Sequence, residues 1–172
     1  YYKSDNNFVI KLLPKEKEHE IILFKTDQSF NSINEMTNEI EKLTEIGKTE
    51  KKNEKISWKY FYKEEDIVVI PKFNFNIETN YSSLEGNKFK TDKQEYQIEL
   101  AWQRTAFILD ESGAEIESEA EAATEAIEEE YEKPKPKKMI FDKPFLILLK
   151  RTDAKNPYFG LWITNTELMM KE

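Results

Sequence analysis

Nine glutamates lie between Glu115 and Glu132, and no lysine or arginine interrupts them. Two carboxylates can act as acid and base in glycoside hydrolysis when an apolar pocket raises the pKa of one of them. Nothing apolar encloses these glutamates in the sequence, so a catalytic pair is not expected. The only histidine, His19, lies in a charged turn, and the chain has no cysteine that could join it in a metal site or a nucleophile–base pair.

The segment that carries the glutamates fits both a strand and a helix. As a strand, it places small or aliphatic residues on one face and glutamates on the other. The first face has Ala114, Ile116, Ser118, Ala120 and Ala122, and the second has Glu115, Glu117, Glu119 and Glu121. As a helix, it has an apolar stripe of Ile116, Ala120, Ala123, Ile127 and Tyr131. A segment that fits both patterns can occupy two states, whereas composition alone favours a solvated acidic helix or a disordered linker.

The composition bounds the class of protein. A chain of 172 residues suits one domain, and its 38% hydrophobic and 13% aromatic residues can form a core. The net charge of −8 argues against a nucleic-acid surface, and no apolar run approaches the ~20 residues of a membrane span. The four glycines stand singly, which excludes a glycine-rich phosphate loop. We therefore expect no nucleic acid, no membrane, no bound metal and no cofactor.

The first part of the chain predicts a hairpin followed by a helix. Residues 8–13 and 21–24 form two short apolar strands, and Pro14 ends the first. The apolar residues of the helix recur at intervals of three and four, at Phe30, Ile33, Met36, Ile40, Leu43 and Ile46.

Several residues are candidates for the ends of that helix. Asp27 and Ser29 are candidate N-caps, and Ser32 and Glu35 have the spacing of a capping box. Gly47 is predicted to stop the helix.

The rest of the chain predicts strands. Trp58, Tyr60 and Tyr62 alternate with other residues and predict a strand with an aromatic face. A longer strand is predicted over residues 67–77, with Pro71 at an edge or a bend. Residues 80–93 are polar and predict a loop, and residues 96–110 predict a central strand covered on both faces.

After the acidic segment, the chain is extended through two prolines and then predicts two more strands. These cover residues 139–149, interrupted by Pro144, and residues 158–164. The order of elements predicts an α+β fold with mixed or antiparallel sheets.

Four motifs, in order, resemble the serpin family. The C-terminal signature of that family is matched by Phe141, Asp142, Lys143, Pro144 and Phe145. Tyr158-Phe159-Gly160 resembles the start of the last strand of a serpin, and Val69-Ile-Pro-Lys-Phe73 resembles its Leu-Pro-Lys/Arg-Phe strand. Phe107-Ile-Leu-Asp-Glu-Ser-Gly113 resembles the strand that runs into the hinge of the reactive loop.

The resemblance implies a serpin-like α+β fold with few helices, of which this chain is the C-terminal portion. A complete serpin is about twice as long, so the N-terminal portion is an expected partner. The expected parts of the chain are a hairpin (8–26), a helix (29–47), sheet strands (56–110), the hinge and reactive loop (111–138) and C-terminal strands (139–172).

The resemblance also implies the residues of the hinge. They are Glu111, Gly113, Ala114, Ile116, Ser118 and Ala120. Glu111 is expected to form an ion pair with Lys72 on the neighbouring strand. The hinge departs from the family, which has Thr or Ser after the glycine and then a run of alanines, whereas Ile116 and several glutamates stand here.

The alternation of the loop nevertheless favours insertion into a sheet. If the loop inserts as a strand, the small or aliphatic residues from Ala114 onward face the core and the glutamates face away. A slip of one residue would bury four glutamates, each at a cost of several kcal/mol.

Two positions are expected for the scissile bond. The usual spacing from Gly113 places it between Ile127 and Glu128, whereas the spacing from Phe141 places it between Glu129 and Glu130. The first is preferred, because hinge length determines how far the loop can insert, and insertions on the far side cost little.

The resemblance implies a protease inhibitor with no catalytic residues of its own. The expected partner is a serine or cysteine protease, and the expected location is extracellular, with an intracellular one open. Two alternatives stay open: a non-inhibitory serpin that acts as a carrier, chaperone or storage protein, and an interaction module whose acidic helix binds a basic partner.

Overall fold

A computed structural model describes most of the chain. The described stretches are residues 1–110, 135–142 and 144–170. They form two compact units, of which the second contains residues 72–110 and 168–170 and the first contains the remainder. The described chain is sheet-rich, has one α-helix and pairs most of its strands antiparallel, which confirms the predicted α+β class.

The helices and strands have the following bounds. The strands are β1 (Tyr2–Ser4), β2 (Asn7–Leu12), β3 (His19–Lys25), β4 (Ile67–Val69), β5 (Phe73–Asn80), β6 (Lys88–Lys90), β7 (Glu95–Gln97), β8 (Trp102–Leu109), β9 (Lys138–Ile140), β10 (Phe145–Arg151) and β11 (Phe159–Ile163). The α-helix, α1, spans Ile33–Glu50, and a 3-10 helix spans Ser57–Tyr60.

The first unit is built on a five-stranded antiparallel sheet in the order β1-β2-β3-β10-β11. The predicted hairpin is confirmed as β2–β3, and the predicted last strand as β11. The predicted strand over residues 139–149 is two strands in different sheets, β9 and β10, separated around Pro144. α1 packs on this sheet, because its apolar stripe meets apolar residues of β3 and β10. The buried cluster consists of Ile22, Phe24, Met36, Ile40, Leu43, Leu146 and Leu148.

The predicted stripe of α1 is confirmed, but its ends differ from the prediction. Ser32 is the N-cap: its hydroxyl accepts a hydrogen bond from the backbone N–H of Glu35 at 3.2 Å. The Glu35 carboxylate in turn accepts from the backbone N–H of Asn31 at 2.9 Å. The helix therefore begins after Ser32 rather than after Asp27 or Ser29, because the Ser32–Glu35 pair satisfies the first backbone donors.

Gly47 lies inside α1 and does not stop it, so this prediction was wrong. The helix continues to Glu50, and the backbone N–H of Lys51 still bonds to the Gly47 carbonyl at 2.9 Å. A Cβ atom at position 47 would lie 3.1 Å from a ring carbon of Tyr60. Gly47 is therefore distinguished by the close approach of an aromatic ring rather than by a left-handed turn.

The predicted aromatic strand around Trp58, Tyr60 and Tyr62 is also wrong. The backbone forms the 3-10 helix, preceded by a turn in which Ser57 N–H bonds to the Asn53 carbonyl at 2.8 Å. The curled backbone brings the carbonyls of Trp58 and Phe61 to one ammonium group, as described below. A strand would have directed these two carbonyls apart.

The predicted strand over residues 67–77 is two strands separated at Pro71. β4 pairs in parallel with β9 in the first unit, whereas β5 pairs antiparallel with β8 in the second. Proline has no N–H for a ladder, so the strand breaks there, as the bend prediction allowed.

The second unit is a β5–β8 ribbon with a short β6–β7 hairpin. Residues 96–110, predicted as one central strand, contain the end of β7 and all of β8, separated by a break, and the predicted loop over 80–93 contains β6. β8 has only β5 beside it among the described residues, and Ile108 is 67% exposed. One face of the ribbon is apolar, through Phe73, Phe75 and Phe107, and the other faces solvent.

Candidate functional site

The hinge and scissile residues predicted from the sequence lie outside the described residues. They are Glu111, Gly113, Ala114, Ile116, Ser118, Ala120, Ile127, Glu128, Glu129 and Glu130. Lys72 is described, is exposed, and its carbonyl accepts a hydrogen bond from Met170 N–H at 2.8 Å. The Lys72–Glu111 ion pair therefore stays a prediction. What the structure does describe is how the chain leaves and returns at the two ends of residues 111–134.

The chain enters the segment from β8, which is a regular strand. Phe107 of β8 pairs with Phe75, and Leu109 pairs with Phe73 at the start of β5. The ring of Phe107 lies 6.0 Å from that of Phe73 and 5.8 Å from that of Phe75. These aromatic contacts stabilise the end of β8, just before the predicted hinge.

Just after the segment, Lys137 attaches the chain to the first unit through a buried ion pair. Its ammonium group lies 2.6 Å from a carboxylate oxygen of Asp66, and both side chains are almost fully buried, 3% and 2% exposed. The ammonium also donates to the carbonyls of Phe61 at 2.7 Å and Trp58 at 3.2 Å. The backbone N–H of Lys137 donates to the other Asp66 oxygen at 2.8 Å. Each of the three N–H donors of the buried ammonium therefore has an acceptor, which offsets the cost of burying the charge.

The surroundings of Asp66 keep it charged. Burial alone raises the pKa of Asp66, but hydrogen bonds from the Lys137 ammonium and from the backbone N–H groups of Lys137 and Lys63 lower it more. The resulting pKa lies below the usual value for an aspartate. Asp66 therefore remains a carboxylate, and Lys137 remains bound to it, over the neutral and mildly acidic range.

A second buried lysine holds the other end of β9. The ammonium of Lys25, whose side chain is 4% exposed, donates to the carbonyl of Ile140 and lies 2.7 Å from Asp142. Lys25 comes from the end of β3, so it joins the central sheet to the residues that follow β9. The three-residue strand β9 is thus held at its start by Lys137 and just after its end by Lys25.

The residues that match the serpin signature lie at the junction between β9 and β10. Phe141 and Phe145 are fully buried, with ring centroids 5.0 Å apart, and Phe8 of β2 lies 5.1 Å from Phe141. Asp142 contacts Lys25, and Pro144 lies in the bend between β9 and β10. The signature therefore forms an aromatic cluster with one ion pair, which fixes the turn from β9 into the central strand β10.

Sequence reasoning missed Lys25, Asp66 and Lys137. Lys25 ends an apolar run and looked like its polar boundary, and Lys137 stood among other lysines. Asp66 precedes four apolar residues without any distinctive spacing. Asp66 and Lys137 are 71 positions apart in the sequence, and Lys25 and Asp142 are 117 positions apart. No local pattern therefore reveals either pair.

His19 and Gln103 each form a hydrogen bond with a tyrosine. His19 begins β3, and its Nδ1 lies 3.1 Å from the hydroxyl of Tyr158 on the protein surface. Gln103 is exposed, and its side-chain oxygen accepts a hydrogen bond from the hydroxyl of Tyr81 at 2.8 Å. Within the described ranges, no group of three or more His, Asp or Glu residues could hold a metal ion. No helix in those ranges has the length and apolar character to cross a membrane.

The sequence matches no model of a known protein family, and it has no significant match among curated protein sequences.

Proposed function

We propose that this chain is the C-terminal part of a serpin domain and that the protein inhibits a serine or cysteine protease as a suicide substrate. The observation that carries the proposal is the way residues 111–134 are joined to the fold. They follow directly on β8 and return at the buried Lys137–Asp66 pair. A segment that resembles a reactive loop is therefore attached to ordered structure at both ends.

In the proposed mechanism, the protease attacks the bond after Ile127 and forms an acyl-enzyme. The cut leaves residues 111–127 attached to β8 alone, and the segment then turns back at the hinge beside β8. Among the described residues β8 pairs only with β5, so a returning strand would extend the ribbon antiparallel to β8. The attached protease is carried along, and its active site is distorted.

The alternation of side chains supports this direction of insertion. The buried face of β8 carries Phe107 and Leu109, whereas Ile108 between them is exposed. A strand beside β8 must present its apolar residues on the same face. The loop has a suitable sequence, because Ala114 and alternate residues after it are small or aliphatic, and the glutamates between them would point away from that face.

The energy of insertion is sufficient to drive such a change. About ten new backbone hydrogen bonds at ~0.5–1.5 kcal/mol each give on the order of 10 kcal/mol. The small side chains that become buried add to this amount at about 25 cal/mol per Å². Lys137 and Lys25 support the mechanism on the other side of the cut, because they retain the peptide that begins at Glu128.

A gel assay with the full-length gene product tests the proposal. The protein is incubated with a protease of apolar specificity and with one that cuts after glutamate, and a covalent band that survives denaturation is expected with one of them. Mass spectrometry of the C-terminal peptide, separated from the complex under denaturing conditions, should give a new N-terminus at Glu128. An N-terminus at Glu130 would support the alternative bond, and one beyond Lys133 would refute both.

A matched pair of variants separates inhibition from simple cleavage. Ala120→Glu places a charge on the face that must become buried, so it should abolish the covalent band while cleavage continues. Glu119→Gln changes the solvent face and should leave the band intact. Cleavage of the unaltered protein without any covalent band would refute the proposed inhibition and favour a non-inhibitory serpin. Resistance to both proteases would favour the acidic interaction module instead.

A further inference from the structure

One motif in the chain has no part in the proposed inhibition. Asn80-Tyr81-Ser82 is the only Asn-X-Ser/Thr triplet in the sequence whose middle residue is not proline. This triplet is the acceptor motif for N-linked glycosylation in the secretory pathway. The triplet alone does not identify a glycosylated asparagine, so its position in the fold must also suit a glycan.

Asn80 lies where a glycan can be carried. It is the last residue of β5 and is exposed, and Ser82 begins the turn that follows. The β5–β8 ribbon closes just after it, through the hydrogen bond from Tyr81 N–H to the Ala101 carbonyl at 2.7 Å. Side chains alternate along β5, so Asn80 is on the face opposite to Phe73 and Phe75. A glycan there would extend into solvent without disturbing the apolar face.

The residue opposite Asn80 is an exposed tryptophan. Asn80 pairs with Trp102 across the ribbon, and Trp102 is 52% exposed. Side chains that pair directly across two antiparallel strands share a face, with Cβ atoms about 4.5–5.5 Å apart. The negative face of an indole attracts the positively polarised C–H groups of a sugar ring. The first sugar on Asn80 would therefore have an aromatic surface beside it.

We propose that Asn80 is an N-glycosylation site and that its first sugar packs on Trp102. In the reaction, the amide nitrogen of Asn80 forms a bond to the anomeric carbon of an oligosaccharide. The bond from that carbon to the diphosphate of a lipid carrier breaks, the diphosphate keeps the electron pair, and the amide loses one proton. This proposal does not depend on protease inhibition, since it requires only passage through the secretory pathway.

Expression in a eukaryotic host tests the acceptor, with a signal peptide placed before the full chain. Protein from the medium and protein retained in the cell are both treated with the amidase that removes N-glycans and converts the asparagine to aspartate. Peptide mass spectrometry should find aspartate at position 80 in treated protein. Loss of the modification is expected in both Asn80→Gln and Ser82→Ala, because the hydroxyl of the third residue is required. Asn87→Gln, an exposed asparagine outside any triplet, is the matched control.

A second measurement addresses Trp102. Trp102→Ala should keep Asn80 occupied, because the acceptor triplet is unchanged. Occupancy is read from the peptide, so the measurement does not require the variant to fold. It should make removal of the glycan from native protein several-fold faster, because the first sugar loses its aromatic support. Unmodified Asn80 in both protein pools would overturn the acceptor assignment. An unchanged rate of removal in the Trp102 variant would overturn the packing.

Discussion

Single residues have their largest effect where the chain returns at Lys137. Lys137→Met would leave the Asp66 carboxylate buried without an ammonium partner, which is expected to cost about 3–5 kcal/mol of unfolding free energy. Urea unfolding measures the change. Lys135→Met, two positions earlier and exposed, is the control and should change the free energy by less than about 0.5 kcal/mol. Equal losses in the two variants would contradict the role of the ion pair.

The same pair predicts a pH dependence. Because the pKa of Asp66 is lower in the folded state, its contribution to stability is fully present above its unfolded pKa of about 4. The contribution is lost as the pH falls below that value and passes through the folded pKa. Urea midpoints should therefore drop more steeply below about pH 4 for the parent protein than for Asp66→Asn. Parallel pH curves would refute the prediction.

The sequence predicted some residues of the junction and missed others, for a physical reason. Phe141 and Phe145 were found, because an apolar run and a matching signature are local features. Asp66 and Lys137 could not be found, because a buried ion pair consists of two ordinary surface residue types that only the fold brings together. The hinge residues from Gly113 onward remain predictions, since they lie outside the described part of the chain.

At the scale of elements, the register of α1 against the 3-10 helix depends on Gly47. Alanine is normally favoured over glycine inside a helix by about 1 kcal/mol. Here the added Cβ would lie 3.1 Å from the ring of Tyr60, whose hydroxyl is held by Glu50. We expect Gly47→Ala to lower the melting temperature, because overpacking costs about 1–3 kcal/mol.

The matched experiment repeats the change where the ring is absent. In a Tyr60→Ala background, Gly47→Ala should be stabilising, since only the helix preference remains. A Gly47→Ala change that stabilises the parent protein as well would show that the ring yields freely.

Elements were predicted well where one periodicity dominated. The spacing of the apolar stripe identified α1, and the two short apolar runs identified β2 and β3, from local sequence alone. The aromatic alternation at Trp58, Tyr60 and Tyr62 misled, because the carbonyl acceptors for Lys137 required a turn. Pro71 separated two strands that pair in different sheets, which alternation along residues 67–77 could not reveal.

At the scale of the whole molecule, β10 lies between β3 and β11, so its hydrogen bonds and apolar contacts are shared on two sides. We therefore predict that residues 1–127 and 128–172, produced as separate chains, associate into a folded complex. Co-purification of the two chains and a single cooperative unfolding transition are the expected results. Leu148→Glu in the shorter chain should prevent association, because Leu148 is 1% exposed in the core. Lys155→Glu, on the surface, should not.

The pairing of β3 with β10 also determines the order in which the protein can fold. Leu23 pairs with Ile147, more than one hundred positions later, and α1 packs on side chains of that same late strand. Contacts this distant in sequence slow folding, because the chain must close a long loop before they form. During synthesis the early hairpin and helix expose Phe24 and Met36 until β10 leaves the ribosome. A nascent chain that stalls within the acidic segment should therefore bind chaperones, and emergence of β10 should end that binding.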